Sequence, residues 1–160
     1  MDSGPMCRYD GTMSPAEVCF TVGNALILPF WGLLFFLPGS KVTHWVFERS
    51  GISPLHLLAL IYAVTVVPAL AAHPESLVAL AQPTLAGVKE LFVSDVGVAA
   101  GWIHYLCFDL FVGVAVWKSA RERKHSFSWV SPVLGLVLMF GPLGWLTYEG
   151  LSGIIRWRQR

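Results

Sequence analysis

Charged side chains are scarce in this chain of 160 residues, of which only 13% are Asp, Glu, Lys or Arg. That share is about half of what a soluble domain carries. Apolar residues make up 55% of the sequence, and the mean hydropathy is +0.62. A soluble domain of this length has too small an interior to bury so much apolar surface. The composition therefore predicts an all-α protein that lies in a lipid bilayer.

Metal ligands and net charge are also in short supply. The net charge of +1 gives no electrostatic basis for binding nucleic acid. Cys7, Cys19 and Cys107 are odd in number and lack paired spacing, which excludes a disulfide framework and a zinc site. Haem ligation would need a second histidine at membrane depth, and the nearest candidate, His56, starts a span. We therefore expect no metal and no cofactor.

Four apolar runs are each close to the 20 residues that a membrane-spanning helix needs. They predict a bundle of four transmembrane helices at residues 18–37, 55–72, 96–117 and 129–148. Prolines mark their ends, and Gly141-Pro142 is expected to bend the fourth span. Residues 16–157 would form the membrane domain, residues 1–15 a short polar segment, and residues 158–160 a basic C-terminal segment. Residues 1–15 have neither the apolar core of a signal peptide nor the composition of a transit peptide, so any plastid-targeting region is expected outside this sequence.

The connection between the second and third spans, residues 73–95, is long and partly apolar at helical spacing. It predicts an interfacial helix or a lid along the membrane surface, and a plain connector is the alternative. Orientation depends on the basic residues. With four crossings, six of them fall on the side of the 118–124 cluster and five on the other side, which weakly favours a cytoplasmic or stromal location for that cluster.

The third span contains a carboxylate, Asp109, inside a segment otherwise suited to lipid. Such a group is costly to bury unless it is paired, protonated or functional. No Lys or Arg lies inside another span, so we expect a neutral, protonated acid with neutral partners. The candidates are Asn24, Tyr62, Thr65, carbonyls freed by proline, or water. Asp109 would then act either as an intramembrane general acid or as a hydrogen-bonded tie between helices.

Helical geometry separates Asp109 from His104. At 100° per residue, Trp102, Tyr105, Asp109 and Gly113 share one face, and His104 lies about 140° away. That angle argues against a direct hydrogen bond between the two. Alone, His104 could tether neighbouring groups rather than act in catalysis. The residues that share its face are Cys107, Phe108 and Phe111.

Several segments resemble a known membrane family. They are Trp102-Ile103-His104-Tyr105-Leu106-Cys107-Phe108-Asp109-Leu110-Phe111-Val112-Gly113, Phe140-Gly141-Pro142-Leu143-Gly144, Pro29-Phe30-Trp31 and Val88-Lys89-Glu90-Leu91-Phe92. The resemblance is to the abscisic-acid-deficient-4-like, or neoxanthin synthase-like, family and covers roughly residues 17–148. It implies a four-helix membrane fold and, in plants, conversion of violaxanthin to neoxanthin in plastid membranes.

That conversion is an intramolecular isomerisation in which an epoxide opens, a proton is lost and an allene forms. The resemblance implies Asp109 as the acid and His104 as the base, without a redox cofactor. The residues expected to bind the substrate are Trp102, Tyr105, Phe108, Phe111, Asn24 and Trp31. The protein is then expected in the plastid or thylakoid membrane of a photosynthetic eukaryote, or otherwise in the cell membrane. Partners would be the bilayer, a carotenoid or other isoprenoid, and a membrane protein or a second copy.

Two other functions remain open from the sequence. The chain could bind a carotenoid, a lipid or a membrane partner without chemistry. It could also be a small transporter that handles protons through Asp109, although one acidic residue makes a poor proton path.

Overall fold

The computed structural model describes residues 13–51, 53–82 and 84–158. Outside these ranges lie Cys7, most of the polar N-terminal segment and most of the basic C-terminal segment at residues 158–160. The described chain is helical without a strand, which confirms the all-α prediction. The helices are α1 (Pro15–Phe36), α2 (Lys41–His44, continued by a π-helical turn at Trp45–Arg49), α3 (Pro54–Ala72), α4 (Glu75–Ala81), α5 (Leu85–Leu91), α6 (Asp95–Glu122), α7 (Phe127–Met139) and α8 (Gly141–Arg158).

Serine side chains fix where the long helices begin. Ser14 forms a capping box in which the Glu17 amide donates to the serine hydroxyl over 3.2 Å, and the Ser14 amide donates to the Glu17 carboxylate over 2.7 Å. Ser53, Ser94 and Ser126 cap α3, α6 and α7 in the same way, each accepting from an amide of the first turn.

Three helices, α1, α3 and α6, are long and apolar enough to cross a membrane. Their positions match the first three predicted spans. The central helix, α6, packs against α1, α3 and α7. It runs parallel to α1, because Trp102 bonds to Asn24 in the middle of α1 and Trp117 bonds to the Pro38 carbonyl just beyond its end.

The segment expected as the fourth span differs from the prediction. It is divided at Phe140, whose φ of −148° and ψ of 69° lie outside the helical region, into α7 and α8. The new helix turns back along the old one. Gly144 packs so closely on the backbone of Val137 that a Cβ atom would overlap it. The rings of Trp129 and Tyr148 stack with their centroids 5.7 Å apart. Two antiparallel helices therefore replace one kinked span, and the count of four crossings is not confirmed.

This hairpin brings α8 back to the end of the bundle where α6 finishes. The Tyr148 hydroxyl donates to Ser119 Oγ over 3.1 Å, and Arg123 lies 3.3 Å from Glu149. The α1–α3 connection lies there too, since Arg121 pairs with Glu48 at 2.7 Å. We call this end the basic end. It holds eight basic residues: Lys41, Arg49, Lys118, Arg121, Arg123, Lys124, Arg156 and Arg158.

The hairpin corrects the charge count that the sequence suggested. Arg156 and Arg158 were expected on the side opposite the 118–124 cluster, because a fourth crossing would have carried them there. They lie at the basic end instead. At the opposite end of the bundle, Lys89 is the one basic residue among the described residues.

The connection between the second and third spans contains two short helices, α4 and α5, where its apolar spacing predicts one interfacial helix or a lid. It leaves several large apolar side chains exposed: Leu77, Val78, Leu80, Leu85, Phe92 and Val93. The Phe92 ring packs on Gly101 of α6. An interfacial location for this pair stays a prediction.

Candidate functional site

The turn of α6 from Trp102 to Tyr105 lies level with the midpoints of α1 and α3, whereas the midpoint of α6 itself falls near Asp109. The Trp102 indole N–H donates to the Asn24 amide oxygen over 3.1 Å, and Asn24 is near the midpoint of α1. On the other side of α6, Tyr62 lies near the midpoint of α3, and the centroid of its ring is 5.4 Å from that of the His104 ring. If these helices cross a bilayer, this turn lies at its centre, and Asp109 lies about 7 Å closer to the basic end.

Asp109 lies on the closed face of α6, where the tip of the α7–α8 hairpin covers it. The side chain is 5% exposed. Its Oδ1 atom is so close to Gly141 that a Cβ atom there would collide with it. Its Oδ2 atom is buried and has no hydrogen-bond partner within the described ranges. Among the described residues no cation lies against the carboxyl group, and its neutral, protonated state stays a prediction.

Tyr105 connects α6 to the turn of the hairpin. Its hydroxyl donates to the Met139 carbonyl over 2.7 Å. Met139 ends α7, so its carbonyl belongs to the last turn, which has no intrahelical donor of its own. The same hydroxyl neighbours the Asp109 carboxyl group one turn further along α6. Tyr105 therefore holds the break in the hairpin at the depth of the acid.

His104 lies on the open face of α6. Its side chain is exposed and stands between two rings, with Phe108 at 4.6 Å and Tyr62 at 5.4 Å between centroids. No hydrogen bond joins its imidazole to any residue that the structure describes. An apolar groove of about 460 Å³ continues along this face between α3 and α6. It is lined by Leu55, His56, Ala59, Cys107, Phe108 and Phe111.

The two candidate catalytic residues are thus on different faces, as helical geometry indicates. The expected neutral partners of Asp109 are engaged elsewhere. Asn24 bonds to Trp102 and to the Phe20 carbonyl, Tyr62 packs on His104, and Thr65 donates to the Ile61 carbonyl. The neighbours of the acid are instead Tyr105 and the hairpin turn.

The expected substrate-binding residues divide between the two faces. Phe108 and Phe111 line the groove, and both are more than half exposed. Trp102 and Tyr105 lie on the side of α1 and the hairpin. Trp31 is only 2% exposed and stacks on Phe35, and its indole N–H has no partner in the described part of the chain. Trp31 is therefore a core residue that a ligand could reach only after the helices separate.

Three features of the site were not predicted: the enclosure of Asp109 by Gly141, the role of the Met139 carbonyl, and the contribution of α3 to the groove. The sequence contained a signal for the enclosure of Asp109, because Gly141-Pro142 combines a residue without a side chain and a residue without an amide donor. The groove had none, since Leu55 and Ala59 look like ordinary span residues. Among the described residues, no cluster of three His, Cys, Asp or Glu side chains could hold a metal ion.

Comparison with known proteins identifies the family of the chain. The sequence profile of the ABA DEFICIENT 4-like family matches residues 18–148. The chain is 28% identical to the protein ABA DEFICIENT 4, chloroplastic, of Arabidopsis thaliana, and the match covers 96% of this chain and 69% of the relative. No solved structure matches the chain. The profile covers α1, α3, α6 and α7, including both faces that carry Asp109 and His104, and the chain belongs to the ABA DEFICIENT 4-like family.

Proposed function

We propose that this chain is an integral membrane protein that acts on a xanthophyll, converting an epoxide into an allene in a neoxanthin synthase-like reaction. Family membership and the similarity to the chloroplastic relative support a role of this kind. In this proposal α1, α3 and α6 cross the bilayer, and the α7–α8 hairpin enters it from the basic end and leaves on the same side. The membrane is that of a plastid in a photosynthetic eukaryote.

One observation carries the proposal: the accessible imidazole of His104 lies beside an apolar groove, within the apolar part of α6. The groove beside His104 offers aromatic and aliphatic walls of the kind that a polyene contacts. An exposed histidine at the centre of a lipid-facing helix surface is unfavourable unless a ligand or partner covers it. An oxygen-bearing ring of a xanthophyll would supply both an apolar body and a polar group.

The reaction needs one proton delivered and one removed. The carbon–oxygen bond of the epoxide breaks, the oxygen takes a proton and becomes a hydroxyl, and the neighbouring vinylic carbon loses its proton as the allene forms. No oxidant or reductant is consumed. His104, which the groove leaves accessible, would accept the carbon-bound proton. Asp109 lies on the other face of this structure, so it would protonate the oxygen only after the hairpin tip moves away and α6 turns the carboxyl group towards the groove.

The alternative is that the protein binds a carotenoid or another isoprenoid without converting it. The enclosure of Asp109 favours this alternative, because a ligand in the groove does not reach the buried Oδ2 atom. Under this reading, the groove is the functional site, and the Asp109 face serves to hold the hairpin.

Co-expression in a host that makes violaxanthin tests the proposal. An active chain yields an allenic product in the pigment extract, and Asp109→Asn and His104→Gln abolish it while expression and detergent melting stay close to wild type. Glu122→Gln and His73→Gln, which change exposed residues away from the site, serve as matched controls.

Pigment that co-purifies without conversion, and that Asp109→Asn retains, would select the binding alternative. Full turnover by His104→Gln would remove that residue from the mechanism. An Asp109→Asn variant that misfolds would identify the carboxyl group as structural.

A further inference from the structure

The basic end has a large excess of positive charge that the protein does not neutralise. Eight basic and three acidic residues lie there, the acidic ones being Glu48, Glu122 and Glu149. Among the residues that the structure describes, salt bridges join two of these basic residues to acidic ones, Arg121 to Glu48 and Arg123 to Glu149. Within the described ranges no acidic group pairs with the other six, which are all exposed: Lys41, Arg49, Lys118, Lys124, Arg156 and Arg158.

Two helical segments at this end carry exposed apolar side chains next to these charges. In α2 and its π-helical turn, Val42 and Trp45 are 56% and 60% exposed, and Lys41 and Arg49 flank them. The second segment is the end of α8, where Arg156 and Arg158 alternate with an exposed stripe at helical spacing, Leu151, Ile154 and Trp157. Tryptophan beside basic residues is typical of the boundary between hydrocarbon and headgroups.

We propose that the basic end is a binding surface for anionic lipid headgroups. The proposal rests on the membrane placement given under the proposed function, but it does not depend on the substrate. At the basic end, where α1 and α6 finish and α3 begins, the chain must meet a headgroup layer. The six unpaired cations supply the charge complementary to a phosphate-bearing, negatively charged lipid. Trp45 and Trp157 enter the interface and hold those cations at headgroup level.

The opposite end lacks this combination. Its basic residue in the described chain, Lys89, is outnumbered by four acidic residues, Glu17, Glu75, Glu90 and Asp95. Its exposed apolar surface, on α4 and α5, contains no tryptophan. Selectivity for anionic lipid is therefore expected at one end only, and the hairpin strengthens it by returning Arg156 and Arg158 to that end.

The test measures thermal unfolding of the purified full chain in a neutral detergent during titration with short-chain phosphatidylglycerol or phosphatidylcholine. Phosphatidylglycerol should raise the melting temperature at a lower concentration than phosphatidylcholine. Substitution of Lys118, Lys124, Arg156 and Arg158 together by Gln should raise the half-effective concentration of phosphatidylglycerol by at least about tenfold, since each basic residue near an anionic surface contributes about fivefold. Lys89→Gln should leave it unchanged.

Two further arms keep the test decisive. Inorganic phosphate at the same concentrations should give no stabilisation, and a full effect of phosphate would overturn the proposal in favour of a free anion. If the variant with all four substitutions fails to fold, the stabilisation of the wild-type chain by phosphatidylglycerol is measured at about 0.05 M and about 0.5 M salt. High salt screens charges beyond a few ångström and should weaken that stabilisation. Equal stabilisation by both lipids, or no loss in high salt, would refute the proposal. None of these outcomes bears on whether the protein converts a xanthophyll.

Discussion

The two faces of α6 show what burial does and does not reveal about a polar side chain. On the closed face, Asp109 is enclosed by the hairpin tip and Tyr105 holds that tip in place. On the open face, His104 meets only the rings of Tyr62 and Phe108 beside an apolar groove. The more buried residue is thus the one most tied to the architecture, and the less buried residue is the one a ligand can reach.

This difference predicts opposite responses to substitution. Changes on the closed face that add a clashing atom or remove a hydrogen bond between α6 and the hairpin should reduce stability, whereas the near-isosteric Asp109→Asn should not. Changes on the open face should leave stability nearly unchanged and affect ligand binding.

Gly141→Ala should have the largest effect. Its Cβ atom would collide with Asp109 Oδ1, and relieving that collision would push the hairpin tip away from α6. We expect a destabilisation of about 1–3 kcal/mol, measured by thermal or denaturant unfolding in detergent. Gly150→Ala is the matched control in the same helix, since a Cβ atom there meets nothing within 4 Å.

The cause of that loss can be tested by a double variant. If the collision with the carboxyl group is responsible, Asp109→Ala combined with Gly141→Ala should be more stable than the sum of the two single effects. Additive losses would show that Gly141 is required for the backbone of the turn rather than for the acid.

Tyr105→Phe should have a smaller effect of the same sign. Removing the hydroxyl leaves the exposed Met139 carbonyl without its donor within the protein, so we expect a loss of about 0.5–1.5 kcal/mol. Tyr62→Phe is the control, because the Tyr62 hydroxyl makes no hydrogen bond within the described residues and its ring contact with His104 is kept. Equal melting temperatures for the two variants would mean that lipid or water replaces the lost donor.

The sequence predicts much of the closed and open faces but not how the hairpin closes one of them. Apolar runs and the prolines at their ends locate the three long helices. The 100° rotation per residue separates Asp109 from His104. The reversal at Phe140 is different, because a Gly-Pro pair can either kink a helix or end it, and residues 129–148 are long enough to cross. Contacts distant in sequence decide between these outcomes, chiefly Gly144 on Val137 and Tyr148 on Ser119.

His104→Leu tests the open face. The side chain is exposed and makes no hydrogen bond within the described residues, so the free energy of unfolding should change by no more than about 0.5 kcal/mol. Retention of a bound carotenoid after purification should fall, because the polar contact at the edge of the groove is lost. Pigment absorbance per protein, compared with melting in the same samples, separates the two effects. A strongly destabilised variant with normal pigment content would reverse the roles of the two faces.

The smallest expected effect concerns His125, which lies just before α7 begins, at the end of the hairpin away from its tip. A fall in pH should weaken the packing of the hairpin on the closed face there. Burial, followed by the charges of Arg123 and Arg156, lowers the pKa of His125 below its ordinary value of 6.5, and Glu149 opposes this shift. The folded chain therefore takes up this proton less readily than the unfolded chain does, so His125 reduces stability as the pH falls below about 6.5. His125→Gln should lose less melting temperature between about pH 7.5 and about pH 5.5 than wild type, whereas His73→Gln, in an exposed loop, should not share that gain. An unchanged pH slope in His125→Gln would mean that this imidazole does not cause the pH dependence, and that the Tyr148–Ser119 hydrogen bond and the Arg123–Glu149 salt bridge hold α8 against α6 at both pH values.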